Sequence, residues 1–340
     1  MNSTKTNLLG LDRKELADII NDKPFRGEQA FQWLYQKGAR QIDEMTNISL
    51  PLRKKISEVA YIGYPEISSH QISADGTEKF AYALDDGELI ESVLIPDEEN
   101  FTICVSSQAG CAMGCDFCCT ATLGFTRNLL PAEILAQVLM PIKLYPDKLF
   151  RNIVLMGMGE PLLNYENVLK AVLILSDKMG PDFSTRRITI STCGIVPKLP
   201  NLWPDMGIGI AISLNAATDE KRSAIMPINK KYPLDELKKA LLAIELPPRR
   251  TITIEYVMLG GFNDTPSDAR ALVSFLHGIR SKINLIPFNP WPGAKFEAPA
   301  EDAIIAFQEY LKSRHFTAVI RKERGTDIMA ACGQLAGGKV

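Results

Sequence analysis

Three periodicities follow one another along the chain. From residue 11 to about 62, apolar positions recur at three- and four-residue spacing. Residues 11–20 and 25–36 show it most clearly, the second with Phe31, Leu34 and Tyr35. That spacing predicts amphipathic helices. A third helix is expected after the turn Ser49-Leu50-Pro51, because proline suits a first helical turn. Between residues 66 and 96 the period shortens to two. Residues 66–73 and 79–84 flank the turn Ala74-Asp75-Gly76-Thr77 as a β-hairpin, and Asp85-Asp86-Gly87 leads into a further strand, LIESVLIPD. Glu91 lies inside that apolar run, and alternation alone would turn it to solvent.

Beyond Phe101 strands and helices alternate. Strands are predicted at 102–107, 153–158, 187–192, 208–214, 251–258 and 283–288, with helices near 131–145, 164–179, 196–204, 235–245, 267–279 and 301–313. Six βα units imply a parallel sheet with outer helices, two short of a closed eight-unit barrel. The expected fold class is therefore α/β. A partial, open (βα)6 barrel occupies residues 97–340, after a small helical domain at 1–62 and a β-hairpin extension at 63–96. Active sites of parallel barrels lie at the C-terminal strand ends. A last strand at 317–322 precedes the tail RGTDIMAACGQLAGG.

Composition narrows the class. At 46% hydrophobic and 23% charged residues the chain is ordinary for a globular protein, and its net charge of −2 does not mark a nucleic-acid binder. RNA binding would rest on a local basic surface such as Arg26, Lys37, Arg40, Arg53, Lys54 and Lys55, which charge alone reads as a solvated helix face. No apolar run approaches the roughly 20 residues of a membrane span, and no signal-peptide core opens the sequence. A cytoplasmic protein is expected. Seven cysteines there argue for metal or catalytic thiols rather than a disulfide scaffold.

The thiols are not scattered. Cys111, Cys115 and Cys118 fall in GCAMGCDFCCTATLGFTRN, directly after the first barrel strand, with the spacing C-x3-C-x2-C. Three thiolates suit three irons of a [4Fe-4S] cubane and leave the fourth open, whereas simple electron carriers saturate all four. Structural zinc needs four closed ligands, and no second Cys or His pair follows. The turn MGMGEP at 156–161 lets backbone approach a ligand, and Glu160 beside it suits an ammonium. Two further cysteines stand outside the motif. Cys104 falls in the first barrel strand, near the same mouth. Cys332, among small residues and Gly333, reads as an exposed thiol on a mobile loop.

C-x3-C-x2-C with Phe117 before the last cysteine resembles the radical S-adenosylmethionine (SAM) superfamily. There the open iron chelates SAM, and one electron cleaves it to a 5′-deoxyadenosyl radical. Over nearly the whole chain the sequence also resembles the RlmN/Cfr family of RNA methyltransferases. The matching stretches are FRGEQAFQWLYQKG, DEMTNISLPLR, VSSQAGC, GFTRNL, MGMGEPLLNYENV, MPINKKYP, TIEYVML, INLIPFNPWPG and ACGQLAG. The last two are closer to the RlmN type than to the Cfr type.

This resemblance implies a radical SAM barrel and an N-terminal domain that helps dock RNA. It implies SAM contacts at Gly159, Glu160, Ser191, Ser213, Leu214, Asn215 and Asn289, with Asn215 standing where the family more often has histidine. It implies that Cys332 is methylated by one SAM, and that a radical from a second takes hydrogen from the S-methyl group. The resulting carbon adds to C2 of adenine, Glu91 accepts the C2 proton, and Cys104 frees the product through a transient disulfide with Cys332. Cys119 and Cys193 have no part in this scheme and read as structural. The implied substrates are adenine 2503 of 23S rRNA, in the peptidyl-transferase centre, and adenine 37 of tRNA. A flavodoxin or ferredoxin would supply electrons, and a monomer is expected. Two alternatives stand beside this reading: a Cfr-type C8 adenine methyltransferase, and a non-catalytic metal-containing RNA-binding protein.

Overall fold

The computed structural model describes residues 5–337. The N-terminal periodicity becomes a small helical layer. Strand β1 (Thr6–Asn7) precedes α1 (Arg13–Ile20), whose cap Asp12 accepts from the Lys14 and Glu15 amides while Glu15 bonds back to the Asp12 amide. Such a cap is worth about 1 kcal/mol. Helices α2 (Phe25–Tyr35) and α3 (Leu50–Val59) follow, the latter with proline in its first turn, and β2 (Ala60–Tyr61) pairs in parallel with β1. Leu16, Ile20, Phe31, Leu34 and Ile56 are buried between them. Ion pairs Arg13–Asp177 at 2.9 Å and Lys170–Glu15 at 2.6 Å tie this layer to the rest.

Strands β3 (Glu66–Ile72), β4 (Glu78–Ala83) and β5 (Leu89–Asp97) run antiparallel, and β5 pairs with β6 (Asn100–Cys104). Short β7 (Gln108–Gly110), α4 (Cys119–Thr122) and β8 (Phe125–Asn128) frame the cysteine loop. Then come α5 (Pro131–Leu144), β9 (Leu149–Leu155), α6 (Tyr165–Ser176), β10 (Ile188–Thr192), α7 (Leu202–Met206) and β11 (Gly209–Ser213). After these follow α8 (Asp219–Ile225), α9 (Leu234–Leu242), β12 (Ile252–Met258), α10 (Pro266–Leu276), β13 (Ser281–Pro287), α11 (Glu301–Ser313) and β14 (Ala318–Ile320).

The main sheet has ten strands in the order β14-β13-β12-β11-β10-β9-β6-β5-β4-β3. From β6 to β14 every neighbouring pair is parallel, as six βα units and a last strand require. The hairpin strands continue this sheet on its β6 side, because β5 pairs with both β4 and β6. The helix expected at 196–204 is a 3-10 stretch, Val196–Asn201, followed by the short α7. Pro197, Pro200 and Pro204 remove the amide donors a regular helix needs there.

Register sorts the strand residues into two faces. Ile103, Ile153, Ile188, Ile212, Ile254 and Ile283 share the helix-covered face, and none is exposed. The inner face carries Thr102, Cys104, Asn152, Ser191, Ser213, Glu255 and Asn284 instead. Parallel strands covered on both sides are usually apolar throughout, so this polar inner stripe marks where chemistry sits.

Candidate active site

The cysteine loop is pinned at its base. Gly110 adopts φ +73°, and a Cβ there would stand 1.9 Å from the Gly124 carbonyl oxygen. Only glycine allows β7 and β8 to close on each other. The Cys111 amide donates to Gly124 at 2.7 Å, and the Asp116 amide to Ile225 at the end of α8 at 3.0 Å. Cys111, Cys115 and Cys118 are half-buried and line one cavity together with Met156, Gly159 and Glu160.

Burial pushes the Cys111 thiol up to about 12, and Cys118 and Glu160 add to the shift. Burial raises Cys115 and Cys118 as well. Thiols held neutral in this way ionise when a metal supplies the missing positive charge. In a cubane each thiolate binds a different iron, so three separate thiols rimming one cavity fit a [4Fe-4S] cluster.

Five βα ends contribute to the remaining wall. Gly159 has φ +100°, and a Cβ would meet Gln108 at 2.5 Å. The Gln108 side chain accepts from the Glu160 amide at 2.8 Å, which locks the turn after β9 onto β7. Glu160 is buried, and its two oxygens accept from the Leu162 amide at 3.0 Å and the Cys193 amide at 2.8 Å. Burial raises its pKa and these bonds oppose the rise. The carboxylate thus binds backbone, and a ligand at this turn would meet its remaining lone pairs or the adjacent carbonyls.

Ser191 and Ser213 face each other at 3.3 Å at the ends of β10 and β11. Leu214 is fully buried; its amide donates to Glu255 and its carbonyl accepts from Arg222, so its backbone is already engaged. Asn215 has φ +59°, a left-handed conformation asparagine tolerates. Its Oδ1 accepts from the Val257 amide at 2.8 Å and its Nδ2 lies 3.3 Å from Met226 Sδ. Asn289 is buried with Oδ1 unpartnered, and it borders an adjoining cavity that also reaches Cys332 and Arg321.

The C-terminal segment differs from the mobile, exposed loop expected of it. Residues 330–337 are packed, and Cys332 is half-buried. The Cys119 amide donates to the Gly333 carbonyl, Thr120 Oγ1 to the Leu335 carbonyl and Gln334 Nε2 to the Pro290 carbonyl, each at 2.7 Å. Cys332 thereby borders the same cavity as the three clustered thiols.

Glu91 is also placed otherwise than alternation suggests. It is 2% exposed; its Oε2 accepts from the Ala336 and Gly337 amides at 2.8 and 3.1 Å, and Oε1 pairs with Lys79 at 3.4 Å. Removing one partner of such a buried pair costs about 3–5 kcal/mol. Cys104 is buried in β6 and, like the other six cysteines, a free thiol. Cys193 lines the cavity with Sγ 3.3 Å from Met113 Sδ, while Cys119 is buried and does not line it.

Two residues went unnoticed in the sequence. Arg222, on the polar seven-residue α8, is 1% exposed and donates to the Leu214 and Cys193 carbonyls and to Asn229 at 2.7–3.1 Å. Nothing in DEKRSAI announces burial. Glu255 sits mid-strand in TITIEYVML, the same signal that drew attention to Glu91. It accepts from Ser191 Oγ at 2.5 Å, yet its other oxygen has no hydrogen-bond partner. An oxygen stranded in this way costs about 1–3 kcal/mol.

Comparison with known proteins agrees with this geometry. A family model described as the radical SAM superfamily matches residues 105–276. The crystal structure of a radical SAM methyltransferase from Sphaerobacter thermophilus superposes with a TM-score of 0.92 at 37% identity, covering 98% of this chain and 99% of that one. The fold is thus that of a radical SAM methyltransferase. The family model of the ribosomal RNA large subunit methyltransferase N-terminal domain matches residues 6–62. The dual-specificity RNA methyltransferase RlmN of Syntrophus aciditrophicus is 47% identical over 99% of this chain and 98% of its own length. That of Geotalea uraniireducens is 51% identical over 92% and 90%. The chain belongs to the RlmN family of radical SAM RNA methyltransferases.

Proposed function

We propose that this enzyme methylates C2 of adenine 2503 in 23S rRNA and of adenine 37 in tRNA, carrying the methyl group on Cys332. The observation that carries the reading is the shared cavity: Cys332 lines it together with Cys111, Cys115 and Cys118. C2 of adenine is electron-poor, so a simple methyl transfer from SAM finds no nucleophile there. A thiol interposed between donor and base removes that obstacle.

In this reading Cys111, Cys115 and Cys118 hold the [4Fe-4S] cluster, and Gly159, Glu160, Ser191, Ser213, Leu214, Asn215 and Asn289 surround SAM. Bound there, the cofactor supplies an oxidant able to take hydrogen from a methyl group. Cys332 Sγ first accepts a methyl group by displacement and later presents its carbon to C2. Glu91 takes the C2 proton. Because its carboxylate already holds the Ala336 and Gly337 amides, proton removal and loosening of the tail are coupled. Once the adduct has given up its surplus electron, the Cys104 thiolate attacks the Cys332 sulfur: a disulfide forms, the sulfur–methylene bond breaks, and the released carbon takes a proton to become the methyl group of the departing base.

An adenine must be unstacked to enter the barrel mouth. Residues 1–62 dock the RNA, residues 63–96 extend the barrel 97–340, and a flavodoxin or ferredoxin feeds a monomeric, cytoplasmic enzyme. The test is nucleoside chromatography of 23S rRNA and tRNA from cells that lack their own enzyme and express this chain. 2-Methyladenosine is expected in both. 8-Methyladenosine would point to Cfr-type chemistry, and unmodified RNA from an iron-loaded enzyme would overturn the reading.

A further inference from the structure

We infer that Lys79 is the positioning residue for Glu91, keeping its carboxylate ionised and leaving Oε1 as the oxygen that takes the C2 proton; the inference rests on the function proposed above. Lys79 of β4 lies opposite Val93 of β5, and Val93 lies opposite Cys104 of β6. Opposed residues share one face of a sheet, as do residues two apart on a strand. Lys79, Glu91 and Cys104 therefore stand on the same inner face, and the hairpin extension supplies the first two. Lys79 is buried, at 8% exposed. Its Nζ stands 3.4 Å from Glu91 Oε1 and 3.5 Å from the Met329 carbonyl oxygen. Among the described residues Glu91 makes no other ion pair.

The two oxygens of Glu91 are not equivalent. Oε2 already accepts two tail amides, those of Ala336 and Gly337, which occupies its lone pairs. Oε1 faces the ammonium at a distance beyond the roughly 2.7–2.9 Å of a formed charge-assisted bond. Attraction without a tight bond holds the negative charge and leaves Oε1 room for a proton. A base must be ionised before the adduct forms. Burial disfavours a charged carboxylate, and the ammonium supplies the compensating charge. The proton then passes from C2 to Oε1, and the electron pair of the broken bond stays on the ring. Met329 and the amides of Ala336 and Gly337 also flank Cys332 in the tail, so a purely structural Lys79 would only seat that segment. The two roles differ in the step they affect.

The experiment is single turnover of cluster-loaded enzyme, methylated beforehand at Cys332, on RNA whose target adenine carries hydrogen or deuterium at C2. Wild type is compared with Lys79→Gln and Lys79→Arg at matched iron content. Lys79→Gln keeps a donor and removes the charge. It should form 5′-deoxyadenosine at close to the wild-type rate, while product forms roughly tenfold or more slowly, part of what a positioned base supplies. Its C2-deuterium effect should exceed that of wild type, because proton removal has become the slow step. Lys79→Met, equally neutral, should behave as Lys79→Gln does. Lys79→Arg keeps the cation and should keep the wild-type isotope effect. An unchanged rate and isotope effect in the neutral variants overturns the inference, as does an isotope effect enlarged equally in Lys79→Arg. A fall in 5′-deoxyadenosine as large as the fall in product also overturns it, since that is what seating the tail alone would give. Failure of wild type to methylate C2 would instead overturn the proposed function.

Discussion

At Cys104, burial and the neighbouring Cys332 thiol push ionisation from an ordinary value near 9 up to about 12, and the Arg321 guanidinium offsets only part of this. The folded state therefore holds this proton more tightly than the unfolded chain does. The resulting stability is present below about pH 9 and is lost as pH rises toward about 12. Urea midpoints measured at about pH 8 and about pH 10.5 should fall less for Cys104→Ala than for wild type. Equal falls would mean that Cys104 is solvated rather than buried. The same burial explains why a resolving role needs a proton to leave first, since the thiol is neutral at physiological pH. The cysteine spacing was readable from sequence because cluster ligands are local. The surroundings of Cys104 were not, because Arg321 is remote in the chain and reaches it only through the fold.

Among the elements, those with a strong period were legible. β5 runs over LIESVLIPD as alternation indicates, and α11 occupies Glu301–Ser313 as the apolar spacing requires. Helix α8 was not legible, because seven mostly polar residues carry no apolar face. The tail was misread as mobile because its order comes from distant groups, namely Glu91, Thr120 and Pro290. Helix α3 carries Lys54 and Lys55, both exposed. If residues 1–62 dock RNA, the double variant Lys54→Glu with Lys55→Glu should weaken RNA binding. It should also reduce the salt slope by about 0.7–0.9 for each phosphate that is no longer neutralised. Cleavage of SAM without RNA should be unaffected. An unchanged salt slope would assign RNA binding to the barrel alone.

Over the whole molecule, the parallel run from β6 to β14 turns the C-terminal strand ends toward one cavity, and the seated tail brings Cys332 to its rim. Six βα units were countable in the sequence. Continuity of the hairpin with the barrel sheet was not, since pairing of β5 with β6 depends on a turn rather than on either strand's pattern. Glu255 and Arg222 were missed for a related reason, because their partners come from other strands and helices. The division of labour between Cys332 and Cys104 is the central claim, and one measurement reaches it directly. Cys332→Ala and Cys104→Ala enzymes, each cluster-loaded and given SAM, reductant and labelled RNA, are run on denaturing gels. Nuclease digestion and mass spectrometry of the protein then follow. A nucleotide joined through a methylene to Cys332 is expected in Cys104→Ala and absent from Cys332→Ala. RNA trapped on both variants, or on neither, would contradict the roles assigned to the two thiols.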